Sequence, residues 1–384
     1  MSGAEQARRA RAYLLRVAEP PALALAGLVA EAGPVRAADL VRTGQAPSAV
    51  AGETAARRHL DQVDEDLARA AAVGARLVIP EDEEWPDWPF LALQTAASRR
   101  MACGVAPLAL WVRGRDLGAL TERAVAVVGS RAASGYGEHV AAEFGYGLAS
   151  RGVTVVSGAA YGIDGAAHRG AVAASGPTVA VLACGIDLAY PAGHTALLDR
   201  ITGQGAVVTE YPPGLRPARY RFLVRNRLIA ALGGGTVVVE AGQRSGAKNT
   251  AAITRALGRV LMAVPGPVTS ACSVGCHELL RAAEAVPVAS VDEIIETVGR
   301  IGADLVRPET RPSSRTDELG PEAARVYEAL DRKQGSSPDA AAVESGVPLS
   351  RVRALLPELE LIGLVERRES GWWPVALRKG RGDA

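Results

Sequence analysis

The amino-acid sequence predicts an α/β protein with a doubly wound core, a helical segment before it and a winged helix-turn-helix after it. Three observations predict this. From about Ala124, six short Val-rich runs (AVAVVG, VTVVSG, TVAVLA, AVVTE, GTVVVEA and RVLMAVP) alternate with segments of helical pattern. Runs that are apolar throughout belong to strands buried on both faces, as in a parallel sheet covered by helices on each side. The last stretch, from about residue 320, reads helix, helix, tight turn, helix and hairpin.

The elements follow in chain order. In residues 1–75, RAYLLRVA, PALALAGLVAEAG, RAADLVRTG and HLDQVDEDLARAAAVG carry apolar residues at helical spacing. Pro20-Pro21 breaks this pattern, and Gly33 and Gly44 suit helix ends. A small helical domain with a packing or interaction role is expected there. The core is expected over 76–300. ARLVIP and PLALWVRG read as strands, and EDEEWPDWPF between them as an ordered loop. The helices expected between the Val-rich strands are GEHVAAEFGYGLASRG, DGAAHRGAVAAS, HTALLDRITGQG, RNRLIAALGG and GAKNTAAITRALG. VRPETRPSSRTDELG, rich in Pro, Ser and mixed charge without periodicity, marks a linker over 301–319. Within 320–384 the helix-turn-helix turn falls at Ser345-Gly346-Val347, and the hairpin passes through Gly371. No internal repeat is present.

Composition narrows the function classes. With 48% hydrophobic and 22% charged residues, the chain of 384 can bury a substantial core and is not a disordered polymer. Lys plus Arg number 43 against 42 Asp plus Glu, a net charge of +1, which excludes a globally basic nucleic-acid coat but leaves room for a local basic patch. Of the four cysteines, Cys272 and Cys276 stand beside His277, but no second ligand pair accompanies them, so no metal site is expected. Cys103 and Cys184 complete the set, and a reducing compartment is expected. No run approaches the ~20 apolar residues of a membrane span. Arg16, Glu19 and Pro20-Pro21 interrupt the apolar stretch that would make a leader, so a cytoplasmic protein without membrane contact is expected.

Open α/β sheets bind ligands beyond the carboxyl ends of their strands. The first Val-rich strand ends in VVGSRAASGYG, where Gly129, Ser130, Arg131, Ser134, Gly135 and Gly137 lead toward a helix. Glycines let an anion approach the backbone, the helix N-terminus favours negative charge, and Arg131 offers a bidentate phosphate donor. A dinucleotide site fits poorly. Val140 stands where a third glycine is required, and the second strand ends in Ser157 and Gly158, not in an acid that would bind a ribose hydroxyl. GQRSGAKNT lacks the spacing of a Walker loop. The second strand leads through Ser157 and Gly158, which join the loop residues above as candidate single-strand contacts, into Asp164 and His168, and the third and fourth lead into ACGIDLAYP and TEYPPG. Then RPARYRFLVRNR places Arg216, Arg219, Arg221, Arg225 and Arg227 among Tyr220 and Phe222. Arginines take phosphates and aromatic faces stack bases at roughly 1–3 kcal/mol each, so this pattern suits a single strand of nucleic acid. Aromatics are only 4% of the chain, which makes Phe222 a scarce item beside these arginines. The fifth strand ends in another short basic loop with Arg244, Ser245, Gly246 and Lys248.

Taken together, GSRAASGYG, SGAAYGIDGAAH, CGIDLAYP, TEYPPG, FLVRNRLIA, VVVEAGQRSGAKNTA and AVPGPVTSACSVGCHELL resemble the DNA-processing protein A family, DprA/Smf, over about Ala124 to Ala289. The resemblance implies an extended Rossmann-like fold that binds single-stranded DNA, forms a homodimer and loads the RecA recombinase onto DNA in natural transformation and recombination. It implies no enzyme activity and no cofactor. The family's pocket arginine falls on Arg131, its basic residue ahead of the aromatic on Arg219, and its F-x-x-R-N-R motif on Phe222, Arg225, Asn226 and Arg227. Departures are Lys248 where an apolar residue is usual, TEYP for S-E-Y-P, and His277 for Asn.

Two enzyme readings stand beside this one. Asp164, Asp187, Glu210 and Glu240 near strand ends could hold a divalent metal for a nuclease, or could cap helices and pair with Arg225, Arg227 or Arg244. LGGGTVVVE distantly resembles the phosphate loop of nucleotide phosphoribohydrolases, although its glycines precede a strand. In the C-terminal segment, Ser350, Arg351 and Arg353 open the helix that would read duplex DNA, while Glu358 and Glu360 repel it; duplex binding and protein contact both remain open.

Overall fold

The computed structural model describes residues 2–98, 104–299 and 319–375. They fall in two compact units, Met1–Val306 and Arg307–Ala384. Cys103 and residues 301–318 of the expected linker lie outside the described residues.

The first unit opens with helices α1 (Gly3–Val17), α2 (Leu23–Ala32), α3 (Pro34–Thr43), α4 (Ser48–Thr54) and α5 (Val63–Ala72). It continues through β1 (Ala75–Val78), α6 (Asp87–Ser98), β2 (Leu110–Gly114), α7 (Leu117–Thr121), β3 (Ala124–Val128) and α8 (Gly135–Ser150). Next come β4 (Thr154–Ser157), α9 (Ile163–Ala173), β5 (Thr178–Val181), α10 (Thr195–Gln204), β6 (Ala206–Thr209), α11 (Arg219–Leu232) and β7 (Gly235–Val238). The unit closes with α12 (Ala247–Ala256), β8 (Val260–Ala263), α13 (Val274–Arg281), β9 (Val286–Pro287) and α14 (Val291–Val298).

One sheet runs in the order β1-β2-β6-β5-β4-β3-β7-β8-β9. From β6 to β9 every neighbour is parallel; β2 joins β6 antiparallel and β1 joins β2 antiparallel. The six Val-rich runs are β3 to β8, and all but the leading Val260 of β8 are buried. Alternate residues of β3 face opposite layers, Val125 and Val127 toward Phe144, Leu148 and Ile163, and Ala126 and Val128 toward Leu228 and Ile229. The strand order reverses between β3 and β7, which makes the gap above their carboxyl ends the topological switch point.

The N-terminal helices share a core with the β6 side of the sheet, where Tyr13, Leu14 and Leu25 pack with Trp111, Leu182 and Val207. Ion pairs tie the same helices down. Arg8 makes two 2.9 Å bonds to Asp82, Arg11 bonds Glu81 at 2.8 and 3.1 Å, and Arg16 bonds Asp66 and the Pro213 carbonyl. Glu19 receives Arg221 of α11 at 2.7 and 3.0 Å and Arg57 at 2.8 Å. Burial works against the Glu19 carboxylate, but these two guanidinium groups outweigh it and hold its pKa below the usual value.

Two boundaries differ from expectation. The segment EDEEWPDWPF becomes helical at Asp87, because an acid suits the first turn, Pro89 is tolerated there, and Phe90, Leu93 and Ala96 bury one helical stripe. Helix α11 begins at Arg219, ahead of the start expected at Arg225, so Tyr220 and Phe222 are helical.

Helices α8 and α9 approach closely enough that their backbones touch. A Cβ on Gly145 would sit 2.1 Å from the Ala167 carbonyl oxygen, and one on Gly170 would sit 2.0 Å from that of Ala142. Among the described residues, no helix is long and apolar enough to cross a membrane.

The second unit contains α15 (Pro321–Glu328), α16 (Pro338–Ser345), α17 (Leu349–Leu361) and the hairpin β10 (Val365–Arg368) and β11 (Gly371–Pro374). Gly346, at φ 65°, ends α16 in the left-handed conformation that the turn requires. Val326, Leu330, Ala341, Val352, Leu356 and Trp372 form its core, giving the expected winged helix.

Candidate nucleic-acid interface

A cleft of about 400 Å³ opens at the switch point. Its walls are the loop after β3 (Gly129 to Ala132), Ala160 and Asp164 after β4, Phe222, Arg225, Asn226 and Ile229 of α11, and Arg244 to Ala247 before α12. A larger hollow of about 830 Å³ lies where the strands begin, lined by Trp88, Ala124, Gly233 and Arg259, and the basic loops at the strand ends do not reach it.

The fold therefore gathers Gly129, Ser130, Arg131, Phe222, Arg225, Asn226, Arg244, Ser245 and Gly246. Gly129 has no room for a side chain, since a Cβ would lie 2.4 Å from Ile163. The Ser130 amide donates to the Glu240 carbonyl at 2.8 Å, which ties the β3 loop to the end of β7. Arg131 is exposed, and its guanidinium carbon lies 4.8 Å from the centroid of the half-buried Phe222 ring. The Tyr190 ring meets the same Phe222 at 5.4 Å. Arg219, exposed and one turn ahead of Phe222, shares its side of α11. Arg244 is exposed at the opposite wall. Among the described residues, no ion pair engages Arg131, Arg219 or Arg244.

Arg225 forms the floor. It is buried and donates to the Gly158 carbonyl at 2.8 Å and to the Val181 carbonyl. Gly158 must be glycine here, because a Cβ would lie 2.5 Å from that guanidinium. Burial lowers the Arg225 pKa to about 10; Asp164 opposes this and the Arg131 charge adds to it, so the group stays cationic at neutral pH. Its Nε has no hydrogen-bond partner among the described residues. Asp164 accepts from the Gly158 amide at 3.1 Å; burial raises its pKa and the Arg225 charge pulls against that rise. Asn226 bonds Asn249 of α12 at 3.1 Å and links the two helices that border the cleft.

Other expected site residues stand apart from the cleft. Ser134 caps α8: its hydroxyl receives the Gly137 amide at 3.1 Å and donates to Glu240 at 2.5 Å. Gly137 is needed because a Cβ would lie 2.3 Å from the Glu240 carboxylate. Ser157 is fully buried and donates to the Val127 carbonyl at 2.6 Å. Arg227 points the other way from Arg225. It bonds both oxygens of Glu210 at 2.8 Å and the Val105 carbonyl at 2.9 Å. Lys248 engages Glu278 and the Gln243 carbonyl.

The four strand-end carboxylates do not converge. Asp164 holds the Gly158 amide, Asp187 the Gly214 amide at 2.7 Å, Glu210 pairs with Arg227 and Glu240 supports Ser134. Among the described residues, no group of three or more His, Cys, Asp or Glu side chains could hold a metal ion. The glycines of LGGGTVVVE lead into the start of β7, at the far end of the strands from the cleft. Burial pushes the Cys184 and Cys276 thiols up to about 12, away from any nucleophilic role at neutral pH.

Tyr190 and Tyr161 are the aromatics that sequence reasoning passed over. Both sit in loops at strand ends, and the scarcity of aromatic residues was the available signal. In the winged helix, Arg351 bonds Glu322 at 2.8 Å and Arg353 faces Asp339 at 3.9 Å, so both arginines of the candidate reading helix have carboxylate partners. The wing stacks Arg368 over Trp373 at 4.7 Å.

The sequence pattern of the DNA recombination-mediator protein A family matches residues 76–299, and that of the DprA winged helix domain matches 308–371. The chain is 53% identical over 377 residues to a putative DNA processing protein DprA of Mycobacterium tuberculosis, spanning 98% of this chain and 96% of that one. It is 38% identical over 277 residues to Protein Smf of Escherichia coli, spanning 71% of this chain and 72% of the relative. The solved structure of DNA processing protein A from Streptococcus pneumoniae matches with a TM-score of 0.59 at 26% identity, over 76% of this chain and 95% of that one.

Proposed function

The chain belongs to the DNA recombination-mediator protein A family, DprA/Smf, and from that premise we propose that it binds single-stranded DNA in the switch-point cleft and delivers the strand to RecA. The observation that carries this reading is that two exposed arginines without carboxylate partners among the described residues, Arg131 and Arg244, face each other across the cleft that Phe222 lines, with Arg219 exposed one turn ahead of Phe222 on α11. Phosphates bind by displacing counterions from such groups, and a chain of phosphates meets guanidinium groups on both walls of the cleft. Arg225 supplies a fixed positive charge beneath them. Arg227, Ser134, Gly137, Ser157, Gly158 and Lys248 support the scaffold in this reading and do not touch DNA. No covalent step is assigned to the cleft. The protein works as a homodimer on recombination substrates, including DNA taken up in transformation.

The test is fluorescence anisotropy with a labelled single-stranded oligonucleotide and its duplex over a salt series, wild type beside Arg131→Ala. A salt-sensitive preference for the single strand that the variant loses supports the reading. No binding, or equal binding of the duplex, overturns it and returns weight to a small nucleotide ligand. Delivery is tested separately by the rate of RecA assembly on a strand with and without this protein; an unchanged rate overturns that part alone.

A further inference from the structure

Five of the eight tyrosines expose 40% or more of their surface, and two of these, Tyr190 and Tyr161, belong to the loops beside the cleft. Phe222 itself is only half-exposed, because Tyr190 and Arg131 already lie against its ring. The aromatic surface offered to solvent at this edge is therefore chiefly tyrosine. Tyr190 is 40% exposed while its ring is held against Phe222 at 5.4 Å. Tyr161 is 52% exposed and follows the cleft residue Ala160. Its ring meets the buried His194 edge-on at 4.9 Å. His194 is in turn fixed, with Nδ1 3.0 Å from the Ala159 carbonyl. Gly193 leaves space for the Tyr161 hydroxyl, since a Cβ there would lie 2.7 Å from it. The two tyrosine loops thus touch, and the next residue, Gly162, packs against the backbone of Ser130 and Arg131.

The geometry points to Tyr190 and Tyr161 as a base-stacking track that continues from Phe222 along the strand ends, so that bases of a bound strand lie on tyrosine faces while their phosphates meet Arg131. This inference rests on the single-strand reading above and extends it to the bases. Rings already immobilised by a neighbour lose little freedom when a base stacks on them, which is what a stacking platform requires. Stacking is indifferent to base identity, so the track adds affinity without sequence preference.

The test compares oligo-dT with a base-free deoxyribose-phosphate strand of equal length and charge. Each is titrated by anisotropy against wild type, Tyr190→Ala, Tyr161→Ala, the corresponding Tyr→Phe variants and Tyr146→Ala. Tyr146 is 53% exposed but lies near the far end of α8, and serves as the control. The expected result is a loss of about tenfold for oligo-dT in each of the two Ala variants, within the range of a single stacked base. The base-free strand should show no change, the Phe variants full retention, and Tyr146→Ala no effect. Wild-type affinity in folded Tyr190→Ala and Tyr161→Ala overturns the track, as does an equal loss for both strands. If wild type binds neither strand, the single-strand reading itself has failed. If Arg131→Ala loses binding while both tyrosine variants keep it, only the track has failed.

Discussion

The arginines on the N-terminal side of the sheet and those at the cleft mouth occupy opposite conditions. Arg11, Arg16, Arg221 and Arg227 keep 10% or less of their side chains exposed, and each faces a carboxylate. Arg131, Arg219 and Arg244 stand in solvent with no such partner among the described residues. In a buried pair, desolvation makes each charge depend on its partner, and removing one strands the other. At the mouth, a guanidinium costs little to leave hydrated and is available to an incoming phosphate. The same side chain is therefore tied into the fold in one region and left free of that task in the other, and the neighbouring carboxylate decides which.

Arg227→Ala should give the largest effect. It leaves the Glu210 carboxylate buried and alone, for which about 3–5 kcal/mol of stability loss is expected in urea unfolding, with oligonucleotide affinity of the folded fraction unchanged. A variant as stable as wild type would erase the distinction between the two regions.

Acid tests the interior next. Burial holds the His168 pKa at about 3, with the His194 and Arg225 charges adding to the effect. Its value in an unfolded chain is near 6.5, so between those values the unfolded state binds more protons and stability falls as pH falls. The contribution is up to about 1.4 kcal/mol per pH unit, or roughly 2 kcal/mol from pH 6.5 to 5. A folded His168→Gln variant should lose this share of the acid sensitivity in unfolding curves compared with wild type at each pH.

Arg131→Ala is expected to leave the unfolding midpoint in place. The single-strand salt dependence should become shallower by about 0.7 in log–log slope, one phosphate's share. A lowered midpoint would move Arg131 into the structural set. Lys248→Ala should do least: its partner Glu278 is surface-placed, so under about 1 kcal/mol of stability is at stake, and the salt slope should stay as in wild type. A slope reduced as much as in Arg131→Ala would place Lys248 among the phosphate contacts.

Much of this was legible in the sequence. The Val-rich runs gave away β3 to β8 because strands covered on both faces need no polar residues, and SGV in VESGVPLS marked the helix-turn-helix through its glycine. The cleft was legible through its loops, since Gly129, Arg131 and Arg244 come from strand ends that topology alone brings together. What stayed hidden was the pairing of each charge. Arg225 and Arg227 are two residues apart on a helix and therefore point to different sides, one under the cleft and one into a buried ion pair. Ser134 and Lys248 show no partner in the sequence; Glu240 and Glu278, distant along the chain, stand beside them only in the fold. Helix α6 was missed because its start is crowded with Trp, Pro and acids, and its apolar stripe becomes visible only once Phe90 and Leu93 are known to face the sheet.

The glycine contacts between α8 and α9 have a mechanical consequence. The loop carrying Arg131 runs into α8 and the loop carrying Tyr161 runs into α9, while Gly145 and Gly170 let the two helix backbones bear directly on each other. With no compressible side chains at those two points, the pair acts as a single plate beneath both loops. A displacement of the Arg131 loop is shared at once by the Tyr161 loop, so the two move as one stiff edge and not as two independent fingers.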